Sequence, residues 1–405
     1  MKYLSLETYT DFVCTGSECP LTCCGGGWDI IIDEATDRYY RSVPGEMGKR
    51  LDNSINRENG KSSFILNEHN NCPFLNDRGL CDIYINLGEE HLSNTCTYYP
   101  RYMFYAGDIC FAGVSISCPE VSRFYMTHED PLMIDFADDG EPVSPDIEKN
   151  TDWPLFNQSI RALTCCVAIA QNRELAIKER LATILLYVSC FQDDIENDKN
   201  PQELSELFSS PAEYIALLPQ TGIYNRDYES KTAFSSEMLS FLGSIGEFKR
   251  RLPEVYDLVE YFSEGVNSEI CPDRWDEAFE WVDSQQNGIW QENILVYMIY
   301  KFFMPGFSKK DFYNRLLTGI EYVFISILFI SALYYIQHSE GPSMDHLIML
   351  TSSMSRLIEH NSSFRCMTED HFRNAQMKTI LNNDDVPVND TNHGSTTTNR
   401  TTTGL

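Results

Sequence analysis

The feature that most constrains this chain is the crowding of cysteines near its N-terminus. Nine of the 14 cysteines lie in the first 118 of 405 residues, and four fall in the stretch CTGSECPLTCC at residues 14–24. Thiols at such short spacing can converge on one point, as a bound metal or cluster requires. Three glycines follow directly, and they allow the positive φ angles and close backbone approach of a loop around such a group.

We expect no secretory signal at the N-terminus. Its first residues, MKYLSLETYTDF, contain no apolar run and include two acidic residues. The longest apolar run, YVFISILFISALYYI at residues 322–336, is short of the roughly 20 residues of a membrane-spanning helix, and we expect a buried helix there. We therefore expect a cytoplasmic protein without membrane insertion. Structural disulfides are rare in that compartment, so the cysteines point first to metal.

The cysteine spacings leave the kind of metal open. Three residues separate Cys19 from Cys23, which suits the first half of a zinc site. The next cysteines, Cys72, Cys81 and Cys96, are too far apart to supply the second short-spaced pair. Iron–sulfur clusters accept more varied spacing. Spacing alone favours an iron–sulfur cluster, with zinc, or cysteines that are reduced or partly disulfide-bonded, as the alternatives.

The fold class predicted is α+β, with an irregular cysteine-rich metal-binding module followed by a mainly α-helical region. We place the module at residues 1–130, an acidic linker at 131–150, the helical region at 151–380 and a disordered tail at 381–405. Within the module, Ile30–Ile32 is strand-like and Asp33 can cap a helix starting near Glu34. From Trp153 onward, apolar residues recur at spacings of three and four, as in packed helices. The linker contains DFADDGEPVSP, and the tail is polar and of low complexity.

The charge balance excludes one class of partner. The chain has 31 basic and 60 acidic residues, a net charge of −29. Such a field repels nucleic acid phosphates and favours a cationic partner, such as a protein surface rich in lysine. Solubility alone is the alternative reason for the acidity.

Five stretches together resemble one family, the flagellin lysine-N-methylases. They are FVCTGSECPLTCCGGGWDIIID (12–33), CPFLNDRGLCDIYINLGEEHLSNTCTYYPR (72–101), SISCPEVSR (115–123), WQENILVYMIYKFFMPG (290–306) and SRLIEH (355–360). The N-terminal stretches are similar to a wider group of cysteine-rich zinc- or iron-chelating proteins, and their order together with the helical half singles out the methylases. One departure is the glycine run before Trp28, which is one residue longer than the family pattern.

The resemblance implies methyl transfer from S-adenosylmethionine to lysine ε-amino groups of flagellin, with a [4Fe-4S] cluster and a helical region that helps to bind the protein substrate. The motif cysteines that it marks as metal ligands are Cys14, Cys19, Cys23, Cys24, Cys72, Cys81, Cys96 and Cys118. Eight thiols are twice what one cubane cluster takes, so some are structural or there is a second metal. Cys110 falls outside the motif. The alternatives are a zinc- or iron-binding carrier or assembly protein, and a disulfide-stabilised interaction protein.

Residues for the chemistry itself are harder to assign. No G-x-G-x-x-G fingerprint is present, so an ordinary doubly wound methyltransferase fold is not expected. An aromatic wall for the lysine or the donor could come from Tyr98, Tyr99, Tyr102, Phe104 and Tyr105, although half-buried strand residues are the simpler interpretation. A base could come from Glu89, Glu90 or His91, or these residues form an exposed helix face. We interpret Cys165, Cys166 and Cys190 as small apolar core residues, and Cys271 and Cys366 as isolated.

Overall fold

Two sheets form the β part of the protein. The computed structural model describes residues 2–7, 9, 12–25, 28, 30–58, 60–138, 140, 150–197, 228–245, 248–249, 252–263, 272–284 and 288–359. Its strands are β1 Lys2–Leu6, β2 Ile31–Ile32, β3 Ile55–Glu58, β4 Lys61–Phe64, β5 Arg101–Ala106, β6 Ile109–Val114 and β7 Ile134–Asp138. One sheet has the order β5-β6-β1-β7, and the other has the order β2-β4-β3. The pair β1–β6 is parallel, and the other pairs are antiparallel.

Helices surround the sheets and make up most of the second half. Those of the first half are α1 Glu34–Ser42, α2 Gly45–Asn53, α3 Asp82–Leu87, α4 Asn94–Tyr98 and α5 Pro119–Thr127. Those that follow are α6 Trp153–Ala170, α7 Ile177–Glu196, α8 Tyr228–Gly243, α9 Pro253–Ser263, α10 Pro272–Val282, α11 Gly288–Phe302, α12 Phe312–Gly319, α13 Ser326–His338 and α14 Met344–Glu359. A π-helical turn, Ile320–Ile325, joins α12 to α13.

One large hydrophobic core joins the four-stranded sheet to the helices. It includes Phe111 and Val114 of β6 together with Tyr297 of α11. The Tyr300 hydroxyl of α11 lies 2.5 Å from the Leu4 carbonyl oxygen and 2.9 Å from that of Ala112, so the helix is hydrogen-bonded to the sheet. A second, smaller core lies under the three-stranded sheet. The division of the chain at residues 131–150 stays a prediction, and the large core contains residues from both sides of it.

Several predicted elements are confirmed. Strand β2 covers Ile31–Ile32 of the strand-like run, and Asp33 accepts a hydrogen bond from the Thr36 amide at 3.0 Å where α1 begins. The helical pattern from Trp153 onward corresponds to α6, α7 and the helices after them. Of the other predicted segments, EYIALL (213–218), most of the linker and the tail at 381–405 lie outside the described residues.

Part of the segment predicted as a linker, residues 131–150, belongs to the four-stranded sheet. Residues Ile134–Asp138 form β7, which pairs with β1 along its whole length, with Leu4 opposite Phe136. Strand β7 is at the edge of the sheet, and all but its first residue are exposed. An edge strand needs few buried side chains and tolerates charge, so an acidic, turn-rich sequence fits there.

The apolar run near residue 322 is part of a longer helical stretch than its composition indicated. Helices run from Phe312 through the π-turn to His338, a span of 27 residues with mean hydropathy 2.1 in its most apolar window. By length and composition this span could cross a membrane, yet 75% of that window is buried inside the protein. The prediction of a buried helix is confirmed for α13, where residues such as Ile327 and Leu333 are fully buried.

A first prediction concerns Gly113, which lies opposite Tyr102 in the β5–β6 pair. A Cβ atom at Gly113 would approach the Tyr102 ring closer than 3.0 Å. We expect Gly113→Ala to lower the free energy of unfolding by about 1–3 kcal/mol, because overpacking displaces the ring. Urea denaturation measures this. Gly288→Ala is the control, since nothing lies within 4 Å of that position; equal effects of the two variants would contradict the steric explanation.

Candidate functional site

The first cysteine segment, residues 14–24, is a compact loop of two 3₁₀ turns, Gly16–Glu18 and Cys23–Gly25. Gly16 has a φ of +59°, which favours glycine, and its amide donates a hydrogen bond to the Cys14 sulfur at 3.4 Å. A Cβ atom at Gly25 would lie only 3.2 Å from Asn71 Oδ1, so this glycine allows close packing. Backbone amides that face sulfur are a feature of metal-binding cysteine loops.

The second cysteine segment, residues 72–96, packs directly onto the first. The Cys72 amide donates to the Cys24 carbonyl oxygen at 2.7 Å. Cys81 caps the N-terminus of α3, and Cys96 lies in α4, whose N-cap Ser93 accepts from the Cys96 amide. The last motif cysteine, Cys118, precedes α5. We call the eight motif cysteines of these segments the thiol nest.

The thiols of the three parts of the nest influence one another's pKa values. Burial raises the pKa of Cys96 to about 11, and the neighbouring Cys23 thiol contributes to the rise. Burial likewise raises the pKa of Cys118 to about 11, with a contribution from Cys19, and that of Cys72 to about 12, with a contribution from Cys96. Hydrogen bonds bring the three parts close together: the Cys72 amide donates to the Cys24 carbonyl oxygen, and Arg356 donates to the carbonyl oxygens of Thr22 and Ser117.

Cys23 is the most acidic thiol of this group. A hydrogen bond with the adjacent Cys24 thiol lowers the pKa of Cys23 to about 7, and the positive charge of Arg356 adds to the lowering against the effect of burial. The same hydrogen bond raises the pKa of Cys24. A thiolate is the form that binds metal, so Cys23 is the member of the nest closest to ligand form at neutral pH.

The donor chemistry of the thiols favours metal binding, whereas the positions of their side chains do not. Thiolate sulfur is the donor that zinc and iron–sulfur clusters prefer. The twelve cysteines of the described residues form no disulfide with one another, which gives a disulfide framework no support there. Yet within the described ranges no three Cys, His, Asp or Glu side chains form a ready ligand set. Metal binding by the nest therefore stays a prediction.

A buried ion pair lies beside the nest. The Lys301 ammonium of α11 contacts the Glu359 carboxylate of α14, and their side chains are 15% and 4% exposed. Ser115 and Ser355 donate to this carboxylate at 2.5 and 2.6 Å, and Tyr297 donates at 3.2 Å. We call these five residues the Lys301 centre. Burial lowers the pKa of Lys301, and the Glu359 charge opposes that change.

Aromatic rings complete the surroundings of the Lys301 ammonium. Its nitrogen lies 4.5 Å from the centre of the Tyr102 ring and 5.4 Å from that of Tyr297. Cations are stabilised over aromatic faces at such distances. The Tyr102 hydroxyl is buried and has no hydrogen-bond partner in the described part of the chain. The Lys301 centre therefore already holds a lysine amine between a carboxylate and aromatic rings.

The predicted aromatic wall is divided between the interior and the surface. Tyr102 contacts Lys301, and Tyr99 packs edge-to-face on Trp28 at 4.6 Å. Phe104 packs against Phe111 in the core. Tyr98 and Tyr105, by contrast, are 49% and 55% exposed.

The bases predicted at residues 89–91 lie on the surface. Glu89 and Glu90 are exposed in a 3₁₀ turn, and the His91 ring stacks on Tyr39 at 3.8 Å. This arrangement fits the exposed-face interpretation.

The cysteines outside the motif behave as predicted where the structure describes them. Cys166 is fully buried, and Cys165 and Cys190 pack against the large core. Cys110 is fully buried in β6 beside Tyr105. Cys271 and Cys366 lie outside the described residues.

Sequence reasoning missed the charged residues that approach the nest. Lys301 is the single cation of α11, and Arg356 and Glu359 lie in the stretch SRLIEH, which covers the end of α14 and the residue after it. His360 lies outside the described residues. Arg356 is 3% exposed. A charge inside an apolar helical pattern is rarely buried without a partner, and that signal could have found both Lys301 and Arg356.

The fold and the site define a class of protein: an α+β chain whose cysteine-rich N-terminal segments are built onto a helical core. The profile of the FliB lysine N-methylase C-terminal domain matches residues 164–382, more than half of the chain. The chain therefore belongs to the FliB lysine N-methylase family.

Curated relatives agree with this membership. The chain is 22% identical over 377 residues to the lysine-N-methylases of Salmonella choleraesuis (strain SC-B67) and Salmonella typhimurium (strain LT2), covering 87% of this chain and 90% of each relative. It is 29% identical over 131 residues to the flagellar biosynthetic protein FliU of Salmonella muenchen, covering 31% of this chain and 77% of that protein. No solved structure is significantly similar.

Proposed function

We propose that this protein is a cytoplasmic flagellin lysine N-methyltransferase. It moves a methyl group from S-adenosylmethionine to lysine ε-amino groups of flagellin with the help of an iron–sulfur cluster. The observation that carries the proposal is the convergence of three cysteine segments beside a buried lysine–carboxylate centre, in a chain of the lysine N-methylase family. The names of the relatives supply the flagellar context.

The residues that would hold the cluster are those of the thiol nest. Soft thiolates suit iron–sulfur and zinc and do not suit hard cations. A cluster with an open iron position could bind the amine and carboxylate of the methyl donor. Cys23, with its lowered pKa, is the first candidate ligand.

The chain also has residues suited to handling an amine. A lysine ammonium has a reference pKa of about 10.4, and only its neutral form is a nucleophile. Burial lowers the pKa of Lys301 within its own centre, so an amine among these rings loses its proton more readily than it would in water. Glu359 is the buried carboxylate positioned to hold such a proton.

The acidity of the chain suits a cationic protein substrate. The net charge of −29 attracts a lysine-bearing surface and speeds encounter at low ionic strength. The helical region behind the nest is the part that we propose to contact flagellin.

The decisive test is mass spectrometry of flagellin co-expressed with this protein. We expect mass increments of one methyl group on lysine residues, absent when the protein is left out. Unmodified lysines, in the presence of soluble full-length protein, would refute the methylase proposal.

The colour of the purified protein separates the proposal from its main alternative. Brown protein after anaerobic purification supports a cluster, whereas colourless protein with stoichiometric zinc and unmodified flagellin would indicate a metal carrier. An unchanged visible spectrum on adding S-adenosylmethionine to cluster-loaded protein would contradict donor binding at the cluster.

A further inference from the structure

The end of α14 contacts the cysteine segments with two charged side chains. Arg356 and Glu359 are three residues apart, which places them on one face of the helix. Arg356 donates to the Ser117 carbonyl oxygen, and Glu359 accepts from the Ser115 hydroxyl. The loop before Cys118 is therefore held at two points by a single helical turn.

Arg356 extends the same contact to the first cysteine segment. Its guanidinium donates to the carbonyl oxygens of Leu21 at 2.6 Å, Thr22 at 3.1 Å and Ser117 at 2.8 Å. Leu21 and Thr22 lie between Cys19 and Cys23, and Ser117 directly precedes Cys118. Three backbone carbonyls from two distant segments thus share one buried cation.

Trp28 fixes the guanidinium from another side. The Arg356 guanidinium carbon lies 5.4 Å from the centre of the Trp28 ring, which packs edge-to-face on Tyr99. Tyr99 in turn lies within hydrogen-bonding distance of the Ser117 hydroxyl, at 3.1 Å. The guanidinium reaches the three carbonyl oxygens from three different nitrogen atoms in one plane, whereas a lysine would offer them a single nitrogen.

The second cysteine segment is held by a different arginine. Arg50 of α2 donates to the Pro73 carbonyl oxygen at 2.6 Å and to Asp82 at 2.6 Å. These contacts lie next to Cys72 and Cys81. Arg356 thus contacts the first cysteine segment and the loop before Cys118, whereas Arg50 contacts the second segment, and this difference provides an internal control.

We propose that Arg356 is a positioning residue, which fixes the loop between Cys19 and Cys23 against Cys118 and makes α14 part of the thiol nest. Its functional meaning rests on the proposed use of these thiols as metal ligands. The positioning itself can be measured on metal-free protein, so it can fail or succeed separately from the methylase proposal.

The test is alkylation of metal-free, reduced protein with iodoacetamide, followed by peptide mass spectrometry at each cysteine. We expect Arg356→Lys to speed modification of Cys19, Cys23 and Cys118 by about tenfold or more, because hydrogen bonds from the guanidinium are lost and the loop opens locally, while the positive charge that favours the thiolate form of these cysteines is kept. Arg356→Gln also opens the loop, but it removes that charge, and the smaller thiolate fraction works against the acceleration. The thiols of the second segment should change by less than about twofold. Arg50→Gln should speed modification of the thiols of the second segment and change the rates at Cys19, Cys23 and Cys118 by less than about twofold.

Three outcomes would overturn the proposal. Equal acceleration at all thiols would assign Arg356 to overall stability, and circular dichroism and urea midpoints would show the matching loss. Unchanged rates at Cys19, Cys23 and Cys118 would show that the loop holds its shape without the arginine. Wild-type alkylation rates in Arg356→Lys would show that a positive charge at this position is sufficient to hold the loop. If Arg356→Gln does not fold, the lysine variant alone decides.

Discussion

Replacing Glu359 by Gln should lower the free energy of unfolding by about 3–5 kcal/mol, because it leaves the Lys301 ammonium buried without its counter-ion. Ser115, Ser355 and Tyr297 would also lose their charged acceptor. Urea denaturation followed by circular dichroism measures the change. Few single substitutions in a chain of this size are expected to cost as much.

The control for this prediction removes both charges. The double variant Lys301→Met with Glu359→Leu should recover much of the loss, since a buried pair replaced by apolar side chains is often close to neutral. Glu34→Gln, at an exposed ion pair with Arg38 of 3.9 Å, should change stability by less than about 1 kcal/mol. A double variant less stable than Glu359→Gln would contradict the explanation by an unpaired charge.

Substituting both Cys19 and Cys23 by Ala should abolish metal retention and flagellin methylation together. The two thiols lie in the loop that Arg356 holds, and Cys23 is the most acidic thiol of the nest that the pKa values resolve. Iron or zinc per chain and methyl increments on flagellin are the two measurements. Both should fall to background.

The matched control is a cysteine of the helical half. Cys165→Ala removes a partly buried thiol that packs against the large core of the protein. It should keep metal content and methylation near those of the wild type, with a stability loss of about 1 kcal/mol. Activity that survives loss of Cys19 and Cys23 in folded protein would refute a catalytic role for the nest.

The local features of this fold could be read from the sequence because their signals are local. Apolar residues that recur with the 3.6-residue period of a helix predicted α6, α7 and α11. A strand-like run followed by Asp33 predicted the start of α1. The edge strand β7 could not be predicted, since its acidic, turn-rich sequence lacks the alternation of apolar and polar residues that marks a half-buried strand. It becomes a strand only because β1 offers an open edge.

The sequence marks the thiols of the candidate site and does not mark the charges beside them. The eight cysteines are marked by spacing and by family resemblance, and the hydrogen bond from the Cys72 amide to the Cys24 carbonyl oxygen joins the first two segments; their use as metal ligands stays a prediction. The pairing of Lys301 with Glu359 links two helices whose apolar patterns do not say which faces meet. Only the packed structure brings them together.

The contact of Arg356 with the first cysteine segment has a consequence for the order of synthesis. All eight thiols of the nest emerge from the ribosome within the first 118 residues, whereas the arginine that holds their loop follows Leu21 by 335 residues. A nascent chain therefore carries a full set of thiols for most of its translation without the helix that arranges them. Contacts so distant in sequence form late, so the nest is completed only when almost all of the chain has been made, and any loading of metal before that point would meet an unfinished loop.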